Sequence, residues 1–181
     1  ISCGSSGGGG LFGLPDQTDE AVALINEANV ELKKIKILYN ENEEKREDLK
    51  KAMTADDPAT VRKIADDVVK VINEGSSLVD DAIAKIEQAD ELNINADFKE
   101  YLRLKSETLK KQKEAFEEYR QAARSLRDNY DPKDKEVRER VKAEFKQRSE
   151  NYQALMEKAR DRSSEANELA KEAIKKSNAG R

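Results

Sequence analysis

Few residues of this sequence have side chains that could carry out chemistry. Histidine is absent from the 181 residues, which removes the commonest general base, metal ligand and pH-sensitive group. The single cysteine, Cys3, cannot form an intramolecular disulfide. Met53 and Met156 are better interpreted as core residues than as haem ligands. The sequence therefore predicts a protein that is not an enzyme, with no catalytic residue, metal ligand or cofactor.

Three other kinds of site are disfavoured by pattern. Di-iron sites in helical bundles need Glu-x-x-His pairs, which cannot be completed without histidine. The glycines at 7–10 follow no predicted strand, so they are interpreted as a tether and not as a phosphate-binding loop. Nucleic-acid binding needs a basic stripe with interleaved aromatic residues, whereas the basic residues here alternate with glutamate. No nucleic-acid partner is predicted.

Interruptions of the apolar stripes mark one candidate site inside the fold. Gly75, Gln112 and Arg148 fall at core-facing positions of three predicted helices. Antiparallel pairing places them at the height of Tyr39, which predicts a polar layer halfway along the bundle. Such a layer would set the helix register or form a small pocket. Alternatively, Gly75 admits the Tyr39 ring while Gln112 and Arg148 extend to the surface.

Four helical segments must position these residues. Apolar residues recur at three- and four-residue steps in each segment, which is helical spacing. Asp57-Pro58 and Asp131-Pro132 each supply an N-cap and a proline suited to the first helical position. Short connections favour an all-α, elongated, antiparallel up-down-up-down four-helix bundle. It is expected to occupy residues 16–181, with helices over 17–54, 58–90, 97–129 and 132–177.

Composition and charge agree with a long bundle that has a thin core. Hydrophobic residues make up 36% and charged residues 40% of the chain, as is typical of long-helix proteins. Residues 1–96 carry 11 basic and 20 acidic side chains, whereas residues 97–181 carry 23 and 18. The two halves are expected to attract each other or another copy of the chain, so self-association is one interpretation. The other is that the helix surfaces are simply solvated, with charges of both signs.

The first fifteen residues form a Gly/Ser-rich tether that ends in a short apolar segment, Leu11 to Leu14. Within it, Ile1-Ser2-Cys3-Gly4 resembles the end of the lipobox of bacterial lipoproteins. The resemblance implies cleavage before Cys3, a diacylglyceryl group on its sulfur and acylation of the new amino terminus. It also implies localisation in the bacterial cell envelope, anchored to a membrane and facing the periplasm or the cell exterior. The alternative is a linker whose thiol is incidental.

Two functions remain open. The leading hypothesis is a non-enzymatic, lipid-anchored envelope protein that acts as a binding, spacer or accessory subunit, with a membrane contact through Cys3 and an unidentified protein partner. The alternative is a carrier that holds a small hydrophobic ligand or lipid inside the bundle. A carrier should release extractable ligand and be stabilised by it, whereas a scaffold should do neither.

Overall fold

The structure, a computed structural model, describes residues 15–131 and 133–179. It contains helices α1 (Thr18–Thr54), α2 (Pro58–Asp90), α3 (Ala96–Asn129) and α4 (Lys135–Ala179), and no strand occurs within those ranges. Successive helices pack against each other in antiparallel order through short turns. The predicted all-α four-helix bundle is therefore confirmed.

Side-chain caps fix where α2 and α3 begin. The Asp57 carboxylate accepts a hydrogen bond from the Thr60 N–H, with Pro58 in the first turn of α2. The Asn95 side chain accepts one from the Phe98 N–H at the start of α3. These bonds satisfy N–H groups that the first turn of a helix leaves without an internal acceptor.

The fourth helix begins later than predicted. Asp131 was expected to be its N-cap, but the Asp131 carboxylate accepts from the Lys133 N–H at 2.8 Å in the preceding turn. Asp134 takes the capping position, because its carboxylate accepts from the Val137 N–H at 3.0 Å. Asp131 and Asp134 both lie close to the start of α4, and Asp134 is the residue that caps it. Pro132 lies outside the described residues.

Hydrogen bonds lock the two ends of the bundle. At one end, the Tyr130 hydroxyl donates to the Asp56 carboxylate at 2.8 Å, and Arg62 donates to the Tyr130 carbonyl at 2.8 Å. Asp56 has a φ of 52°, a left-handed conformation that aspartate tolerates better than most residues. At the other end, the N–H of Gln17 donates to the Asn93 carbonyl at 3.0 Å. The α1–α2 and α3–α4 turns are thereby joined at one end, and the start of α1 is joined to the α2–α3 turn at the other.

Ion pairs connect the acidic and basic halves of the chain along α2 and α3. Lys113 contacts Asp80 at 2.5 Å, and Lys110 contacts Glu87 at 2.8 Å. In each pair the acidic residue belongs to the first half and the basic residue to the second. Attraction between the acidic and basic halves therefore occurs within one chain. Each exposed pair of this kind contributes little to the free energy of unfolding.

The bundle is not packed equally on all sides. Helices α1 and α2, α2 and α3, and α3 and α4 lie close together along their lengths, whereas α1 and α4 have almost no close backbone approach. Helix α1 thus packs on α2, and α4 packs on α3, while the side between α1 and α4 stays open. Within the described ranges, no helix has the length and apolarity needed to cross a lipid bilayer.

Candidate functional site

The open side of the bundle is a groove, called here the α1–α4 groove, formed by three adjoining cavities. They are named along α1: the upper cavity lies at Leu32 to Tyr39, the middle cavity at Tyr39 to Arg46 and the lower cavity at Lys50 to Thr54. The upper cavity shares Tyr39, Met156 and Arg160 with the middle one. The middle cavity shares Gln153 with the lower one. The volumes are about 330, 340 and 560 Å³ respectively. On α1 the lining runs from Leu32 to Thr54, which corresponds to about 33 Å of helix at about 1.5 Å per residue.

The groove stays open because of the residues that its two helices present. Every seventh residue of α1 faces it, and these are Leu32, Tyr39, Arg46 and Met53; α4 presents Lys142, Ser149 and Met156 at the same spacing. Close packing of two helices requires apolar side chains that interdigitate. Arg46, Lys142 and Ser149 are charged or short and polar and interrupt the apolar side chains at these positions, so α1 and α4 do not form a continuous interdigitating seam.

The upper cavity has an apolar floor and a polar rim. Leu32, Ile35, Phe116 and Met156 line it together with the Tyr39 ring, and its polar residues are Lys36, Gln112 and Arg160. Ile35, Phe116 and Met156 are buried, whereas Lys36 and Arg160 are exposed. A concave apolar surface with a few polar groups at its edge is the usual form of a small-molecule site.

A polar contact crosses the groove in its middle section. The Tyr152 hydroxyl on α4 donates to Oε1 of Glu43 on α1 at 3.2 Å, and Arg46 donates to the same oxygen at 2.9 Å. The Arg46 guanidinium also lies 5.7 Å from the centroid of the Tyr152 ring, close enough for a cation–π contact. Burial raises the pKa of Tyr152, and the nearby Tyr39 and Glu43 raise it further. Tyr152 therefore remains a neutral hydrogen-bond donor.

Two buried polar side chains beside this contact lack partners among the described residues. The Tyr119 ring packs 5.3 Å from that of Tyr152, and its hydroxyl has no hydrogen-bonding partner. Burial raises the pKa of Tyr119 as well. Asn42 is only 2% exposed, yet neither its amide oxygen nor its amide nitrogen is paired. A cavity of about 10 Å³ adjoins Asn42, close to the minimum that holds one water molecule.

The residues predicted to form a polar layer are only partly brought together. Tyr39 lines the small cavity with Gly75 and the upper cavity with Gln112. Arg148 does not join them, since it pairs with Glu144 at 3.0 Å and with Glu118 at 3.3 Å on the side between α3 and α4. An added Cβ at Gly75 would meet Leu38 at 3.9 Å, an ordinary contact. The predicted lipid-attachment residue, Cys3, and the Leu11 to Leu14 segment lie outside the described residues.

The polar centre of the bundle is formed by residues other than those predicted from the interrupted apolar stripes. Asn42 is one member of a buried series on α1 at every seventh position, comprising Ala21, Ala28, Ile35, Asn42 and Leu49. That spacing was available in the sequence and places an amide directly in line with the core. The contact between Glu43 and Tyr152 had no such signal, because it depends on which sides of the bundle close.

The groove carries more positive than negative charge, although the chain as a whole has a net charge of −4. Six basic residues line it against three acidic ones, namely Lys36, Arg46, Lys50, Lys142, Lys146 and Arg160 against Glu43, Glu150 and Glu157. No group of three acidic or cysteine side chains within the described ranges is arranged to hold a metal ion. The groove therefore suits an anionic or amphiphilic ligand better than a cation.

Comparison with protein-family models, with curated proteins and with solved structures yields no match to this chain.

Proposed function

We propose that this protein is a non-enzymatic binding subunit of the bacterial cell envelope, anchored by lipid on Cys3 and binding its partner through the α1–α4 groove. The observation that carries the proposal is the groove itself. A helical spacer gains stability by closing its core on all sides, whereas this chain leaves a side of about 33 Å open, with an apolar floor in the upper cavity. An apolar concave surface of this kind supports a binding role over a purely mechanical one.

The end of the bundle at which the tether joins supports the anchor part of the proposal. The Pro15 carbonyl accepts a hydrogen bond from the Asn93 side chain at 2.9 Å, so the chain enters the bundle beside the turn between α2 and α3. The residues from Gly4 to Pro15 span at most about 40 Å when extended. One acyl chain gives only marginal membrane attachment, whereas the several chains implied by the lipobox resemblance give stable attachment. A tether of this length would keep the end of the bundle at the α2–α3 turn within about 40 Å of the membrane surface.

A second candidate function is the carrier of a small hydrophobic ligand, which the upper cavity favours. Its volume of about 330 Å³ lies at the lower end of the range of roughly 300–1,000 Å³ found for small-molecule sites. In this case the groove would hold a ligand rather than a protein segment. Organic extraction of purified protein followed by mass spectrometry tests for it, since a carrier should yield a ligand in stoichiometric amount.

Membrane fractionation tests the anchor. The chain is expressed in a bacterium behind a lipoprotein signal peptide, as wild type, as Cys3→Ser and as the control Ser5→Ala. We expect wild type and Ser5→Ala in the membrane fraction and Cys3→Ser in the soluble fraction, with unchanged helicity by circular dichroism. Cys3→Ser that stays with membranes after a high-salt wash would refute the lipid anchor.

Site-specific photo-crosslinking tests the groove as the binding surface. A photoreactive residue replaces Gln153, which is exposed and lines the groove, or Gln147, which is exposed and lines none of its cavities. Adducts from anchored protein in membranes should form at position 153 and not at 147. Equal adducts at both positions, or none at 153, would contradict a binding role for the groove.

A further inference from the structure

The upper cavity combines an apolar interior with two cations that have no partner in the part of the chain that the structure describes. Lys36 on α1 and Arg160 on α4 both line it, and neither makes a hydrogen bond or an ion pair with any described residue. Several other cations on α1 are paired within the helix, as Lys34 is with Glu31 and Lys50 with Glu47, although Lys33 is not. Two unpaired cations on opposite sides of one apolar cavity are an arrangement that an anionic ligand would complete.

We propose that the upper cavity binds a single-chain fatty acid, with its carboxylate held between Lys36 and Arg160 and its acyl chain on the apolar floor. This inference rests on the carrier role given above and specifies its ligand. The planar guanidinium of arginine matches a carboxylate through two parallel hydrogen bonds, and a lysine ammonium adds a flexible point charge. The two cations therefore hold the headgroup at the rim from both helices.

The apolar floor of the upper cavity favours an acyl chain as the other part of the ligand. Ile35 and Phe116, which are both buried, line the cavity between the helices. Burying an acyl chain against such residues is favourable by the same area-dependent effect that forms a protein core. A volume of about 330 Å³ is small among ligand sites, which favours a ligand with one chain over a diacyl lipid. Gln112, partly buried in the same lining, offers one neutral polar group to the headgroup.

Calorimetric titration with palmitate and with hexadecanol tests the assignment. The two probes share a sixteen-carbon chain and differ in the charge of the headgroup. The titrations use the delipidated, unacylated full chain, as wild type, as the double variant Lys36→Gln/Arg160→Gln, and as the control Lys33→Gln/Arg140→Gln. The control makes the same charge change at exposed residues that line none of the three cavities. All four positions are exposed, so each variant should fold, and circular dichroism verifies this.

We expect wild type and control to bind palmitate at least tenfold more tightly than hexadecanol, and the Lys36→Gln/Arg160→Gln variant to lose most of that difference. Equal affinity of wild type for both probes would overturn the proposed headgroup contact but leave an apolar carrier standing. Binding of neither probe would overturn both this inference and the carrier role, while the lipid anchor would still be decided by the fractionation of Cys3→Ser. Loss of palmitate binding in the control as well would indicate a general charge effect and refute the two-residue site.

Discussion

Tyr152 of α4 donates its hydroxyl hydrogen to Glu43 of α1 across the one side of the bundle that is not closed. The donor side chain is 1% exposed, and its acceptor also takes a hydrogen bond from Arg46. The contact lies between the upper and lower cavities of the α1–α4 groove. It therefore limits how far the two helices can separate in the middle section of the groove.

Removing this hydroxyl should destabilise the bundle, whereas removing the neighbouring one should not. Tyr152→Phe keeps the ring packing but breaks the bond to Glu43, so the free energy of unfolding should fall by about 1 kcal/mol. Tyr119→Phe removes a buried hydroxyl that has no partner among the described residues, so stability should be unchanged or higher. Urea unfolding followed by circular dichroism measures both. A clear loss of stability in Tyr119→Phe would mean that a bound water pairs with its hydroxyl.

The same two tyrosines predict loss of stability at alkaline pH. Burial raises the pKa of both above the ordinary value, which is about 10. Above pH 10 the unfolded chain releases phenolic protons that the folded chain retains, so stability is fully present below pH 10 and declines as pH rises. Each such tyrosine contributes a slope of about 1.4 kcal/mol per pH unit in that window. Unfolding free energies between pH 9 and 11.5 should decline less steeply for Tyr152→Phe than for wild type, and identical slopes would contradict the assignment.

Gly75 offers a stabilising substitution. It lies inside α2, where glycine costs about 0.5–1 kcal/mol relative to alanine. The added methyl group would contact only Leu38, at 3.9 Å, so no neighbour needs to move. Gly75→Ala should therefore raise the free energy of unfolding by about 0.5–1 kcal/mol in urea titrations. Destabilisation would show that the small cavity beside Asn42 must stay open for the bundle to pack.

The order of the helices and most of their boundaries could be predicted from local chemistry. Asp57-Pro58 predicted the start of α2, and the structure places Pro58 in its first turn with Asp57 as the cap. Asp131-Pro132 carried the same signal, but Asp134 lies nearby and caps α4 in its place. Local sequence thus indicates that a helix starts but does not decide between two adjacent caps.

The groove could not be predicted, because it depends on which helix pairs close. Each helix has an apolar stripe, and a stripe does not specify whether α1 packs against α4 as well as against α2. That outcome depends on the residues that face the groove, such as Arg46 and Ser149, which interrupt the apolar side chains between the two helices. Arg148 is a second example: its spacing predicted a core-facing position, but its side chain lies between α3 and α4 and pairs with Glu118.

Added salt should weaken the bundle modestly through the pairs between α2 and α3. Lys113–Asp80 and Lys110–Glu87 are exposed, so each contributes a few tenths of a kcal/mol and is screened by salt. Raising NaCl from 0.05 to 0.5 M should lower the melting temperature by a few degrees, and Lys113→Gln should reduce that dependence. The matched control is Lys33→Gln, which removes an exposed cation that makes no ion pair among the described residues. A melting temperature that rises steadily with NaCl would contradict the prediction.

Asn42 gives the sharpest prediction, because it is a buried amide in line with an apolar series on α1. Leaving both of its polar atoms unpaired costs about 1–3 kcal/mol of desolvation. Asn42→Leu removes that cost and continues the series formed by Ile35 and Leu49, so the free energy of unfolding should rise by about 1–3 kcal/mol. Asn42→Asp, nearly equal in size but charged, should lower it by several kcal/mol at pH 7 and recover as the carboxyl is protonated at low pH. If Asn42→Leu is instead destabilised, a water molecule in the adjoining cavity must satisfy the amide.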